Sequence, residues 1–103
     1  MAMATPFDVH KNSRAMTLTV RGSLDINTAP ALAEEIDRII AAHPDRVDVD
    51  LASLDLIDSS GVAALVKLYK GIRGGGGAIV ITGARDQPLA IFRLLRMDKV
   101  FDL

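Results

Sequence analysis

The sequence predicts an α/β fold: a small domain with a mixed sheet of four to five strands and helices packed mainly on one face. Three observations predict it. Segments of period-two hydrophobicity alternate with segments of helical period in the order β, β, α, β, α, β, α and a short apolar tail, which implies parallel pairing through right-handed crossovers. The first two strand segments are joined by a short link, so they are expected to pair as a hairpin. Two strand segments carry polar residues at alternate positions, whereas a sheet covered on both sides reads as continuous apolar residues, so the helices are expected mostly on one side.

Phe7 and Val9 mark a short first strand. Met16, Leu18 and Val20 alternate with Thr17, Thr19 and Arg21 up to Gly22, a strand with one apolar face. Asn27 or Thr28 as N-cap, with Pro30 in the first turn, opens a helix. On that helix Leu32, Ile36, Ile39 and Ile40 share one face, Glu34, Glu35, Asp37 and Arg38 the other, and Glu34 and Arg38 have the spacing of an i,i+4 ion pair. The helix is expected to stop by His43, because Pro44 disfavours helical geometry in the residue before it.

Val47, Val49 and Leu51 alternate with Asp48 and Asp50, again a strand with one buried face. The second helix starts near Ser59. Its polar positions Lys67, Lys70 and Gly71, followed by Gly74, leave a narrow solvent stripe, and Val62, Leu65, Val66, Leu68, Tyr69 and Ile72 are expected to pack deeply. Residues Gly74 to Gly77 end it. The nearly continuous apolar run from Ala78 to Thr82 suits an interior strand. Asp86 to Leu95 read as a third helix anchored by Ile91, Leu94 and Leu95, and Val100, Phe101 and Leu103 close the chain as a short apolar segment.

Composition narrows the function. The 103 residues have the size of one domain, 1–103, with residues 1–5 expected to be disordered. With 50% hydrophobic and 4% aromatic residues, the core is built from Leu, Ile, Val, Ala and Met. A chain of this length buries roughly 65% of its unfolded surface, so neither metal nor disulfide is required for folding. The lack of cysteine excludes disulfides, thiolate metal sites and a cysteine nucleophile, and fits a reducing cytosol. Twelve basic and 13 acidic residues give a net charge of −1 with no basic block, which argues against nucleic-acid binding. No apolar run approaches the ~18 residues of a membrane span, and the N-terminus lacks the layout of a signal peptide. A cytoplasmic protein without membrane insertion is expected.

Few segments can carry chemistry. The glycines at 74–77 follow a helix and precede a strand, whereas a phosphate-binding P-loop needs Gly-Lys-Ser/Thr opening a helix. His10 and His43 fall in expected loop or terminal positions without a metal-ligand partner at i+4. Ser59 and Ser60 are not in a nucleophile elbow, since Ile57 stands where that motif needs glycine, and no base–acid pair is evident. No catalytic residue, metal site or cofactor is expected. What is left is Asp58-Ser59-Ser60-Gly61 at a helix start: a side-chain oxygen there caps free backbone N–H groups, and an exposed hydroxyl there is also open to modification, because a phosphate would meet the positive helix end.

The stretches "GSLDINTAPAL" from Gly22, "RVDVDL" from Arg46 and "LDLIDSSGVAALVKLYKGIRGGGGAIVITG" from Leu54 resemble the STAS domain, named for sulfate transporters and anti-sigma factor antagonists. The resemblance runs from about Thr17 to the C-terminus and is strongest over Asp58-Ser59-Ser60-Gly61. It implies an anti-sigma factor antagonist in a partner-switching pathway. The implied partner is a serine kinase of the histidine-kinase-like ATPase type that is also the anti-sigma factor. The unmodified antagonist binds it and frees its target; phosphorylation on Ser59 reverses this, and a phosphatase resets Ser59. Asp25, in the family's loop beside the phosphorylation site, is implied as a partner contact together with Asp58, Ser60 and Gly61, with Ser60 chiefly supporting the helix start. Family members usually carry a final helix beyond the position of Leu103; without it the resemblance implies exposed apolar surface and a monomer or weak homodimer. Two other roles go with STAS-like domains: accessory subunit of a lipid-transport ABC system, which goes with a weaker serine motif, and scaffold domain of a stress-signalling assembly, which goes with additional sequence.

Overall fold

The computed structural model describes residues 7–103, so the expectation of disorder over residues 1–5 lies outside the described residues. Along the chain come β1 (Phe7–Asn12), β2 (Ala15–Val20), β3 (Gly22–Leu24), α1 (Ala29–Ala41), β4 (Arg46–Asp50), β5 (Leu54–Ile57), α2 (Ser59–Gly74), β6 (Ala78–Thr82), α3 (Asp86–Leu94) and α4 (Met97–Val100). β1 and β2 form the expected hairpin, with Asn12 opposite Ala15 and a two-residue turn between them. β4 adds to β2, and β6 to β4, in parallel, which gives a four-stranded mixed sheet in the order β1-β2-β4-β6. β3 and β5 form a separate two-stranded parallel sheet. These two strands have 3 and 4 residues, too few for a hydrophobic period to register, so the local residue pattern does not distinguish them from loop. They carry the chain directly into the site.

The core lies between the larger sheet and the helices. Leu18, Val20, Val47 and Val49 face Leu32, Ile36 and Ile39 of α1 and Leu65, Leu68 and Ile72 of α2, all of them buried. The alternate residues of the strands form the outer face, where Thr17, Asp48 and Val80 stand in one row across three strands. Helices therefore cover one face, as the polar alternation of β2 and β4 implies.

Several expectations are corrected. β6 is an edge strand, not an interior one: Ile81 is buried, but Val80 points to the outer face and is 37% exposed. Apolar residues on both faces of a strand describe its faces, not its neighbours, and single exposed valines are common on protein surfaces. Gly71 does not belong to the solvent stripe of α2. A Cβ there would collide with the Ile40 side chain, so its small size lets α1 and α2 approach. On α1, Arg38 pairs with Glu35 at 2.9 Å instead of Glu34, since i,i+3 and i,i+4 positions are both neighbours on a helix. α3 is anchored by Pro88 and Phe92, whereas Leu94 and Leu95 are 77% and 48% exposed. The helix ends at Leu94, and Phe92 takes the inward direction, where it meets Phe101 edge-on with ring centres 5.5 Å apart. The apolar tail contains the short helix α4, and buried Phe101 follows it. His10 lies within β1 instead of a loop.

The glycine run is a helix stop, as its position indicates. Gly76 adopts φ 86°, Gly76 N–H donates to Arg73 O at 3.1 Å and Gly77 N–H to Ile72 O at 2.9 Å, the paired bonds of a Schellman cap.

Candidate functional site

Leu24 at the end of β3 stands opposite Ile57 at the end of β5. The two following residues, Asp25 and Asp58, therefore leave neighbouring strands side by side, and Asp58 N–H extends the pairing by donating to Leu24 O at 3.1 Å. Each aspartate then organises a helix start.

Asp58 is the N-cap of α2, in extended geometry with φ −116° and ψ −173°. Its Oδ1 accepts from Ser60 N–H at 2.8 Å and Gly61 N–H at 3.1 Å, two of the amides that a helix start leaves without partners. Its Oδ2 accepts from Ile26 N–H at 3.1 Å, in the loop before α1. One carboxylate thus ties α2 to the other loop of the site.

Asp25 does the equivalent for α1. Its Oδ1 accepts from Asn27 N–H at 2.9 Å and Thr28 N–H at 3.2 Å, and its backbone carbonyl from Ala29 N–H at 2.7 Å. The expected cap by an Asn27 or Thr28 side chain is replaced by this aspartate turn. Thr28 holds the N-cap position but is already in helical geometry (φ −102°, ψ −25°), where a side chain does not reach forward to the next amides. Its hydroxyl instead donates to Ser23 O and accepts from Asp25 N–H, both at 2.9 Å.

Ser59 is the first residue of α2 and is exposed; its hydroxyl has no hydrogen bond to any described residue. Ser60 is half-buried and serves the helix start through its backbone N–H, while its hydroxyl is likewise unengaged. Gly61 is buried. A Cβ there would lie 2.6 Å from Leu24 O and 2.7 Å from Ile57 Cγ1, so α2 descends onto the ends of β3 and β5 at a distance only glycine permits. Any effect of Gly61 on a partner runs through the placement of α2.

Two features had no signal in the sequence. Gln87 of α3 accepts from Ile57 N–H at Oε1 and donates from Nε2 to Ile57 O, both at 2.9 Å, and so braces the residue before Asp58. The contact spans 30 positions and follows no short-range pattern. The second is an apolar groove of about 310 Å³ between the starts of α1 and α2, lined by Ile26, Ala29, Ala33, Ser60, Ala63 and Lys67. Ile26 stands at its rim, 70% exposed. Lys67, at the other end, pairs with Asp37 of α1 at 2.7 Å.

Among the described residues, no group of three or more His, Asp or Glu is placed to hold a metal, and no helix is long and apolar enough to cross a membrane.

The sequence model of the family described as "Mlab, STAS domain" matches residues 7–103. The anti-sigma-B factor antagonist of Bacillus subtilis (strain 168) is 21% identical over 96 residues, which cover 93% of this chain and 87% of that protein. The crystal structure of an anti-sigma factor antagonist from Mycobacterium paratuberculosis is similar with a TM-score of 0.79 and 25% identity, over 92% of this chain and 80% of the other. The phosphorylated form of the Bacillus cell fate determinant SpoIIAA is similar in fold, with a TM-score of 0.74 and 16% identity over 90% of this chain and 86% of the other.

Proposed function

This chain belongs to the STAS domain family, and on that premise we propose that it is an anti-sigma factor antagonist whose switch is Ser59. One observation carries the reading: the work of starting α2 falls to Asp58, and the neighbouring Ser59 is exposed with a hydroxyl bonded to no described residue. Esterifying that hydroxyl therefore deletes no hydrogen bond of its own to a described residue. The names of relatives that match nearly the whole chain support the same reading.

In the proposed cycle the unmodified protein docks, in the cytoplasm, on a serine kinase of the histidine-kinase-like ATPase type, which gives up its sigma factor or other target. The kinase transfers the γ-phosphoryl group of ATP to Ser59 Oγ. An O–P bond forms, the β–γ phosphoanhydride breaks, the hydroxyl proton passes to a base of the kinase, and ADP leaves. A phosphatase hydrolyses the ester and resets the protein. The chain acts as ligand and substrate, not as catalyst.

A kinase acting on Ser59 must cover the surface around it. That surface contains the apolar groove lined by Ser60 and rimmed by Ile26, with Asp25 and Asp58 beside it at the paired strand ends. Phosphate adds about −1.5 to −2 charge units beside Asp58. A penalty of only ~3 kcal/mol at the interface weakens binding more than a hundredfold, with no change of fold.

The test is to incubate the protein with ATP and each kinase of this type from the same genome, then to map the phosphate by mass spectrometry. Phosphate on Ser59, absent from Ser59→Ala, is expected. Phosphate on Ser60 with Ser59→Ala still modified overturns the assignment. Capture of a transport ATPase instead of a kinase replaces this reading with that of an accessory subunit.

A further inference from the structure

Asp58 bonds to both loops of the proposed docking face, and its two oxygens do different work. Oδ1 holds Ser60 N–H and Gly61 N–H at the start of α2, and Oδ2 holds Ile26 N–H in the loop before α1. The neighbouring amides of that loop, Asn27 and Thr28, are held by Asp25 within the loop itself. Ile26 is different. Its side chain is largely in solvent at the groove rim, and its amide is tied to α2.

We propose that Asp58 is a positioning residue that couples the modification state of Ser59 to the placement of Ile26, a regulation that rests on Ser59 being the phosphoacceptor. A phosphate on Ser59 Oγ lies one residue from the Asp58 carboxylate at the same helix end. Its oxygens compete for the Ser60 and Gly61 amides, and its charge repels the carboxylate. Once Asp58 swings away, Ile26 N–H loses its acceptor and the loop loosens. The docking face then loses an ordered apolar anchor as well as gaining charge. The device explains the residue type. Asn and Ser are also good N-caps, but only a carboxylate offers a second acceptor oxygen to Ile26.

The test separates cap from latch. In Asp58→Asn the side-chain oxygen still accepts from Ser60 and Gly61, while the amide nitrogen faces Ile26 N–H, a donor against a donor. Asp58→Ser keeps one capping oxygen and offers nothing to Ile26. Amide hydrogen exchange is read by NMR on 15N-labelled protein. In both variants Ile26 is expected to exchange about tenfold faster, the equivalent of one ordinary hydrogen bond, with Ser60 and Gly61 changed by no more than about twofold. Phosphoserine, installed in place of Ser59 during synthesis so that no kinase is needed, is expected to accelerate Ile26 to the same degree. Unchanged exchange at Ile26 in the variants, or equal acceleration at Ser60 and Gly61, overturns the latch. Unchanged Ile26 exchange in the phosphoserine protein overturns the coupling, even where a kinase does modify Ser59. If no kinase modifies Ser59, the proposed function fails, and the exchange data still report on the latch.

Discussion

Gln87 lays its side-chain amide along the backbone of Ile57, accepting from the N–H at Oε1 and donating from Nε2 to the carbonyl, both at 2.9 Å. A side chain here takes the part of one residue of a neighbouring strand. It completes the edge of β5 immediately before Asp58, so α3 braces the site from behind. Gln87→Leu removes both partners at once and leaves two backbone groups without bonds beside buried Ile57. A loss of about 2 kcal/mol in urea unfolding is expected, more than a surface change gives. A loss below about 0.5 kcal/mol means that water replaces the amide without cost.

Adjacent residues at the start of α2 are expected to differ in their effect on stability. Asp58→Ala deletes the acceptor of Ser60, Gly61 and Ile26 amides and is expected to cost about 1–2 kcal/mol. Ser59→Ala deletes a hydroxyl with no partner among the described residues and is expected to stay within about 0.5 kcal/mol of the parent. Thermal and urea unfolding followed by circular dichroism measure both, and equal losses would contradict the division of labour between cap and free hydroxyl.

Charge at position 59 is expected to govern docking. Ser59→Ala binds the kinase as an antagonist that cannot be phosphorylated, whereas Ser59→Asp places a carboxylate beside Asp58 and binds much more weakly, because like charges at an interface cost up to several kcal/mol. Aspartate is itself favourable near a helix N-terminus, so the fold persists. Titration calorimetry gives both affinities. Equal affinities in folded proteins would remove charge at Ser59 as the switch.

Two glycines of one helix are expected to respond differently to the same methyl group. At Gly61 the new Cβ meets the carbonyl oxygen of Leu24, a backbone atom that cannot rotate away, and Gly61→Ala is expected to cost about 2 kcal/mol or more. At Gly71 it meets the end of the half-buried Ile40 side chain, which can change rotamer. The ~1 kcal/mol gain in helix propensity offsets much of that strain, so Gly71→Ala is expected within about 1 kcal/mol of the parent. Unfolding curves for the two variants, compared directly, check the order.

The local pattern of residues made much of this molecule legible. Alternation at Met16, Leu18 and Val20 and at Val47 and Val49 marks two strands and their buried faces, because side chains on a strand point to opposite sides in turn. Leu32, Ile36 and Ile39 mark the inner face of α1, and Asp58-Ser59-Ser60-Gly61 marks a capped helix start. These signals arise between residues a few positions apart, where helix and strand periods and capping bonds operate.

Tertiary structure decided the rest. It alone placed β6 at the edge, because strand order is set by pairing with distant strands and leaves no period in the sequence. It chose Phe92 over Leu94 as the anchor of α3, since the helices compete for one core and the sequence does not state which phase wins. It turned Gly71 and Gly61 into close-contact positions, which depend on what stands opposite. It also joined Asp58 to Ile26 and Gln87 to Ile57 across about thirty residues. The sequence by itself determined the kind of site, a capped helix start bearing a serine. Its neighbours were decided only when short β3 and β5 paired and set Asp25 beside Asp58, because hydrogen bonds between distant segments exist only once the backbone has brought donor and acceptor within about 3 Å.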